Sequence, residues 1–259
     1  MFRCRSCQSD QIKELFSFGG FPKAAQFFLE SPAEAGDESI VLNIVECNSC
    51  SLVQVTNGPV SYYREVITAA SLNEASKKNL INEWNQIIHD HELEKGKVLE
   101  VGSGKGDFLE VLQRLGFEPH GLEHGIQNIE IAISKKLDVQ PGYFIDYNFP
   151  EEFPLIVCNN YLEHQPNVGL FVEKFYDVLT PNGVVYVSVP NLDYLLGKAC
   201  LYEFVADHLV YFTKNSLRQL FASKGFEILV EYEKNNGNDL VLVARKKIKP
   251  DYWVGVVLL

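Results

Sequence analysis

Val98-Leu-Glu-Val-Gly-Ser-Gly-Lys-Gly-Asp-Phe-Leu-Glu-Val-Leu112 decides how the rest of the chain reads. Val98, Leu99 and Val101 predict a short buried strand, Gly102, Gly104 and Gly106 a loop, and Phe108, Leu109, Val111, Leu112 and Leu115 one apolar face of a helix. A strand that turns on glycines into a helix brings bare backbone close to a ligand at the carboxyl edge of a parallel sheet, so a cofactor pocket is expected here. A dinucleotide fold wants Gly-x-Gly-x-x-Gly, and the third glycine comes one residue early. A phosphate-binding loop would need glycine at Leu99 and Ser or Thr at Gly106. Glu100, before the glycines, and Glu123, closing the next apparent strand, would repel a pyrophosphate. They suit a ligand with a cationic amino-acid part and a ribose diol. The plainer alternative is a loop that only packs a helix on a strand; Glu123, about twenty residues on as a nucleoside site requires, speaks against it.

On these residues the stretch resembles motif I of the class I S-adenosylmethionine-dependent methyltransferases. The resemblance implies an α/β fold, a Rossmann-like doubly wound sheet with an antiparallel last strand. It implies S-adenosylmethionine as cofactor, held by Glu100, Gly102, Ser103, Gly104 and Gly106, with Glu123 at the ribose hydroxyls. Asp146, with Ile145 beside it after the third strand, takes the adenine position, and Asn159 at the end of the fourth strand completes the set.

The composition agrees with a small-molecule enzyme. The chain has 259 residues, 46% of them hydrophobic, enough for one α/β core and a small appendage. A formal charge of −11 argues against broad binding to nucleic acid or to an anionic membrane. No window approaches the roughly eighteen apolar residues of a membrane span, and the N-terminal sequence has no signal-peptide core. A cytoplasmic protein with reduced thiols and a small-molecule acceptor is expected. The sequence carries no reading of oligomeric state.

Cys4-Arg-Ser-Cys7 and Cys47-Asn-Ser-Cys50 are two Cys-x-x-Cys knuckles. Four thiolates in two such pairs close a tetrahedral zinc shell with no position open for water, so Cys4, Cys7, Cys47 and Cys50 predict a structural zinc. A redox dithiol and four metal-free thiols are the competing readings, and a redox site needs only one pair. The segment between the knuckles has few apolar runs and depends on metal for folding. This divides the chain into a zinc-binding lobe at 1–60, a linker and packing helix at 61–95, and a cofactor-binding domain at 96–259. Tyr62 and Tyr63 in the linker read as packing residues, and Cys158, ending an apolar run, as a buried small side chain.

Beyond motif I, strands and helices alternate. Phe117 to Glu123, Phe153 to Asn159 and Val184 to Val189 predict strands two, four and five, and the Thr180-Pro181-Asn182-Gly183 turn ends the intervening helix. Thr213 to Gly225 predicts a helix, and Phe226 to Glu233 with Asp239 to Arg245 a hairpin. Methyl transfer needs in-line positioning, plus a base where the acceptor loses a proton. Two histidines leave the right edge of the sheet: His164 in Asn159-Asn160-Tyr161-Leu162-Glu163-His164, and His208 in Asp207-His208-Leu209-Val210-Tyr211-Phe212. Asp207 is placed to orient His208 or raise its pKa. The structural alternative is a His-Leu-x-x-Phe segment that merely packs ahead of the last helix.

Knuckles, motif I, Asn-Asn-x-Leu-x-His and His-Leu-x-Tyr-Phe in this order resemble a narrower group, the zinc-containing deoxysugar C-methyltransferases of nucleotide-linked 4-keto sugars. The resemblance implies that His208 abstracts the proton α to the ketone, that His164 assists, and that an enolate takes the methyl. The group carries Tyr-x-Glu-His where this chain has Val205-Ala206-Asp207-His208, so a phenol is replaced and the acid is shorter. O- or N-methylation, which needs one base only, and a non-catalytic scaffold are the alternatives. The group also has a C-terminal lobe; here the sequence reaches Trp253-Val-Gly-Val-Val-Leu-Leu259, read as a strand docking on the sheet or on another subunit.

Overall fold

The computed structural model describes residues 2–22, 39–65, 71–200 and 203–248. In chain order the elements are β1 (Ile12–Pro22), β2 (Ser39–Cys47), β3 (Val53–Val55), α1 (Glu74–Asp90), β4 (Lys97–Val101), α2 (Asp107–Arg114), β5 (Glu118–Glu123) and α3 (Ile126–Ser134). They continue with β6 (Val139–Pro141), β7 (Phe153–Asn159), α4 (Val168–Val178), β8 (Leu179–Pro190), α5 (Leu192–Gly197), β9 (Val210–Tyr211), α6 (Lys214–Ser223), β10 (Phe226–Lys234) and β11 (Asp239–Lys246).

Seven strands form one sheet in the order β10-β11-β8-β7-β4-β5-β6. β4 to β8 run parallel, and β11 is antiparallel to both β8 and β10. The near-continuous apolar runs of β4, β7 and β8 fit strands covered on both faces. On one face Trp84 of α1 is fully buried against Phe108, Phe117 and Tyr186, with Leu109 and Leu112 of α2 beside it. On the other, Phe171 and Phe175 of α4 pack with Phe221 of α6 and Phe144. α1 begins where Asn73 accepts the Ser76 N–H at 2.8 Å, satisfying one of the helix's orphan donors. The sheet order reverses between β4 and β7, so the loops leaving their carboxyl ends part and open a crevice.

The expected alternation holds, with one local difference. The Thr180–Gly183 turn does not stand apart from strand five. β8 runs through it, and the register with β7 jumps from Phe153↔Leu179 to Leu155↔Val184. Asn182, at φ 63°, absorbs the extra residues in the left-handed region that Asn tolerates.

The second sheet is antiparallel, β1-β2-β3-β9. Its fourth strand comes from beyond the expected lobe boundary: Val53 pairs with Tyr211 and Gln54 with Val210. Nor does the lobe rest on metal alone, because Leu42, Ile44 and Val55 share a buried cluster with Leu192, Leu195, Phe204, Leu209 and Tyr211. A sheet this small cannot bury an apolar face by itself and borrows the segment after β8. The Trp253 to Leu259 stretch lies outside the described residues, as do Ala24 to Leu29. Among the described residues no helix is long and apolar enough to cross a membrane.

Arg5 in the first knuckle ties the sheets together. Its guanidinium donates to the carbonyls of Pro166 (3.0 Å), Val55 (3.2 Å) and Asn57 (2.6 Å), and its backbone carbonyl accepts the Gly169 N–H at 3.1 Å. The approach is close because α4 has a glycine there; a Cβ on Gly169 would lie 2.2 Å from the Ser6 carbonyl oxygen. We therefore expect Gly169→Ala to cost about 1–3 kcal/mol by overpacking, or roughly 2–4 °C of Tm per kcal/mol for a chain of this size. Gly197→Ala, where an added Cβ meets open space, serves as the control, with Tm unchanged or slightly raised in the same thermal melts followed by circular dichroism.

Candidate active site

A cavity of about 740 Å³ opens at the carboxyl ends of β4, β7 and β8, within the size range of small-molecule sites. It has two chemically different ends.

The first end is the glycine loop between β4 and α2. Gly102 (φ +72°) and Gly104 (φ +52°) take conformations that L side chains resist, and a Cβ on Gly102 would lie 2.9 Å from the Tyr161 ring. The loop is stitched to β5: the N–H groups of Gly102 and Ser103 donate to the Leu122 carbonyl at 2.9 and 3.2 Å, and that of Gly104 to the Glu123 carboxylate at 2.9 Å. Glu100, 3% exposed, lines this end; its Oε2 has no hydrogen-bond partner, and neither has Ser103 Oγ. Burial raises the Glu100 carboxyl well above its usual range, and Glu123 and Asp107 push the same way against a hydrogen bond from Asn159. A buried acid with an orphan oxygen is stabilised most by an arriving cation.

Of the residues expected at the cofactor, Glu100, Gly102, Ser103, Gly104 and Asn159 line the cavity together, and Gly106, Glu123 and Asp146 do not. Gly106 (φ +78°) starts α2 and is a packing glycine; a Cβ there would sit 2.3 Å from Leu137 Cδ1. Glu123 stands at the end of β5 as expected, with its carboxylate taken by the N–H groups of Gly104 (2.9 Å) and Gly125 (2.7 Å), so it also fixes the loop. Asp146 is exposed and its carboxylate lies 3.6 Å from the Arg64 guanidinium. The linker contributes more than packing, since Tyr62 and Tyr63 line the cavity. It is held there by Tyr161, whose hydroxyl donates to the Arg64 carbonyl at 2.7 Å, and by the Arg64 guanidinium lying 4.7 Å from the Tyr143 ring centroid.

The second end gathers His164, from the turn after β7, and Asp207 and His208, from the segment before β9. The two imidazoles stand edge to face, 4.8 Å between centroids. Asp207 does not orient His208. Consecutive side chains point apart, and it is the Asp207 carbonyl that takes His164 Nδ1 at 3.0 Å. A carbonyl only accepts, so Nδ1 carries the proton and Nε2 the lone pair. Nor is the His208 pKa raised. Burial, and then His164, hold it well below the usual imidazole range, while burial takes His164 down to about 4 and Asp207 up to about 6. Both imidazoles are therefore neutral near pH 7. The sequence reading passed over Glu163, 2% exposed and lining this end, although it stands beside His164 in the quoted motif. It also passed over Asn160 and, from the β10–β11 hairpin, Asn238 and Asp239, which had no local motif to mark them. Cys158 is fully buried, as expected of a small core residue.

Away from the cavity the four knuckle cysteines bring their sulfurs within 4.8 Å of one another, with Cys4–Cys50 and Cys7–Cys47 at 3.6 Å. A tetrahedral zinc with bonds of about 2.3 Å puts its sulfurs about 3.8 Å apart, so the donor set and spacing fit that ion.

Residues 66–231 match the family described as methyltransferase domain. The chain is 25% identical to the C-methyltransferase NovU of Streptomyces niveus over 256 residues, 93% of this chain and 60% of that protein. It is 31% identical over 104 residues, 37% of this chain and 40% of the other, to the ubiquinone biosynthesis O-methyltransferase of Chelativorans sp. (strain BNC1). It thus spans less than two thirds of either relative. The fold is that of an S-adenosylmethionine-dependent methyltransferase from Clostridium acetobutylicum ATCC 824, with a TM-score of 0.57 at 12% identity over 69% of this chain and 94% of that one. The strand order, the glycine loop at the sheet's switch point and these matches place the chain in the methyltransferase domain family, with the class I S-adenosylmethionine-dependent fold.

Proposed function

We propose that this chain transfers the methyl group of S-adenosylmethionine to a carbon next to a ketone on a small polar acceptor, a sugar or nucleotide-linked sugar, with His208 as general base and His164 assisting. The observation that carries this reading is the single cavity with a cation-seeking glycine loop at one end and two neutral buried imidazoles at the other. The cofactor, bound at the first end, supplies an electrophilic methyl. Glu100 and Ser103 take its amino-acid part, Gly102 and Gly104 leave room for it, Glu123 anchors the loop on the ribose side, and Tyr62 and Tyr63 shield it from water. His208, desolvated and uncharged, has its lone pair available to remove a proton. Asn160, Asn238, Glu203 and Asp239 give the acceptor end the amides and carboxylates that hydroxyl groups bind. The 93% coverage by a protein named as a C-methyltransferase supports carbon as the site; the O-methyltransferase relatives cover 37%.

The knuckles fit a structural zinc that fixes the N-terminal sheet, and with it β9 and the segment carrying His208. Thiolates kept for a metal suit the cytoplasm.

Three outcomes are expected. Glu123→Ala leaves the Gly104 and Gly125 N–H groups without their acceptor, and calorimetry should find cofactor affinity down at least about tenfold, roughly 1.4 kcal/mol; an unchanged Kd would remove Glu123 from the cofactor site. Elemental analysis should find one zinc per chain, and chelation should lower Tm by on the order of 10 °C; metal-free protein with an unaltered melt would refute the shell. Incubation with methyl-labelled cofactor and a panel of nucleotide-linked keto, hydroxy and amino sugars should give carbon-bound label by mass spectrometry. In His208→Ala that transfer should fall by about 10²-fold or more.

A further inference from the structure

Glu163 has no part in the function proposed above, yet it lines the acceptor end in an unusual state. It is 2% exposed, and its Oε2 has no hydrogen-bond partner. Its other contacts are with acids, bases and its own backbone. His164 Nε2 lies 3.9 Å from Oε1, and Glu163, His164 and His208 bring a carboxylate oxygen and two ring nitrogens within 4.8 Å of one another. The position is rigidly held, because the Glu163 carbonyl accepts the Leu209 N–H at 2.9 Å, joining the turn after β7 to the segment that carries His208.

We propose that Glu163 is the proton donor to the acceptor's carbonyl oxygen, opposite His208 as proton acceptor at the adjacent carbon. The proposal rests on the ketone reading above and extends it. In one step the C–H bond next to the ketone breaks, its proton passes to His208, a C=C bond forms, and the carbonyl oxygen receives the Glu163 proton to give an enol. The enol carbon then forms the bond to the methyl group, whose former bonding pair stays on sulfur. The enol O–H proton returns to Glu163 and restores the ketone, and His208 passes its proton to solvent. An acid set beside a base in one cavity, their polar atoms within 4.8 Å of each other, serves enolisation and has no task in O- or N-methylation, where the acceptor atom already carries a lone pair. This acid also stands in for the phenol that Val205 replaces. Tyr211, whose ring centroid lies 6.1 Å from that of His208, is 2% exposed with its hydroxyl engaged by the Val205 backbone.

The protonation state supports the role. Burial pushes the Glu163 carboxyl up to about 8, with Asp239 and Asp207 adding repulsion and its own N–H opposing them. The titratable groups around it are His164 on its own turn, Cys158 at the end of β7, Asp207 and His208 before β9 and Asp239 at the start of β11, and the cavity is also lined by Glu203 and by Lys234, whose ammonium lies 3.1 Å from Glu83. Both imidazoles are neutral at pH 7, and the charges that act on Glu163, those of Asp239 and Asp207, oppose its ionisation. The proton is present below about pH 8 and lost above it, which predicts an alkaline limb centred near 8.

The test uses the full chain with a nucleotide-linked 4-keto deoxysugar in D₂O, following deuterium uptake next to the ketone by NMR without cofactor, and carbon methylation with it. Wild-type exchange should fall away through an alkaline limb near pH 8. Glu163→Gln, which keeps size but cannot pass a proton, should slow exchange and methylation about 10²-fold and abolish the limb, with cofactor affinity unchanged by calorimetry. Glu163→Asp should restore part of the rate together with a limb; it carries the test should Glu163→Gln not fold. Carbon label with Glu163→Gln exchanging within threefold of wild type would overturn the acid alone. Wild-type label on oxygen or nitrogen would overturn the ketone reading, and the acid with it.

Discussion

The histidine end of the cavity is held together by one short run of backbone hydrogen bonds. Leu209 donates to the Glu163 carbonyl at 2.9 Å and accepts from the Val55 N–H at 3.0 Å, and the next two residues pair with Gln54 and Val53 as β9. The segment is clamped between the turn leaving β7 and the N-terminal sheet. His208, one residue before the clamp, has no freedom to swing out of the cavity without breaking a sheet edge. The chain has thereby solved a problem common to sites built on loops, in which precision comes from whatever rigid elements the loop is tied to.

That clamp also makes the N-terminal lobe part of the site. From the cysteine knuckles the chain runs into β2 and β3, from β3 across the sheet to β9, and from β9 to His208. Arg5, between two of the cysteines, donates to carbonyls on β3, on the loop after it and just ahead of α4. Gln54 is fully buried between them and accepts the Arg5 N–H at 2.9 Å. Loosening the knuckles would thus reach the acceptor end through a strand pairing, with no residue of the lobe needed in the chemistry.

Much of this was legible in the sequence because the signals were local. β-branched runs bounded by glycine and proline placed β4, β7 and β11 to within two residues. Glu100, Gly102, Ser103, Gly104 and Asn159 could be expected at one cavity because each sits at or just beyond the end of such a run. The pairing of β9 with β3 joins residues more than 150 positions apart, and two residues carry no periodicity. The same holds for Gly169, whose reason is the Ser6 carbonyl pressed against α4, and for Gly106, whose neighbour is Leu137. Asp207 shows a related effect: it is next to His208 in sequence, but its carbonyl lies 3.0 Å and its carboxylate 3.8 Å from His164 Nδ1.

Burial is what gives these polar groups their chemistry. Glu100, Glu163, Asp207, His164 and His208 all have their charged forms disfavoured first by desolvation, and near pH 7 this leaves Glu100 and Glu163 holding protons beside two imidazoles that lack them. At the glycine-loop end an ammonium placed beside Glu100 would allow it to ionise. At the acceptor end the result is a pair of complementary proton carriers, neutral together, which a single exposed histidine beside a solvated aspartate would not provide. A charged imidazole has no lone pair to offer, and an ionised carboxylate has no proton. On the ketone reading proposed above, the low dielectric that would penalise ions here would also hold donor and acceptor in the two states from which a proton can be taken at carbon and delivered at oxygen.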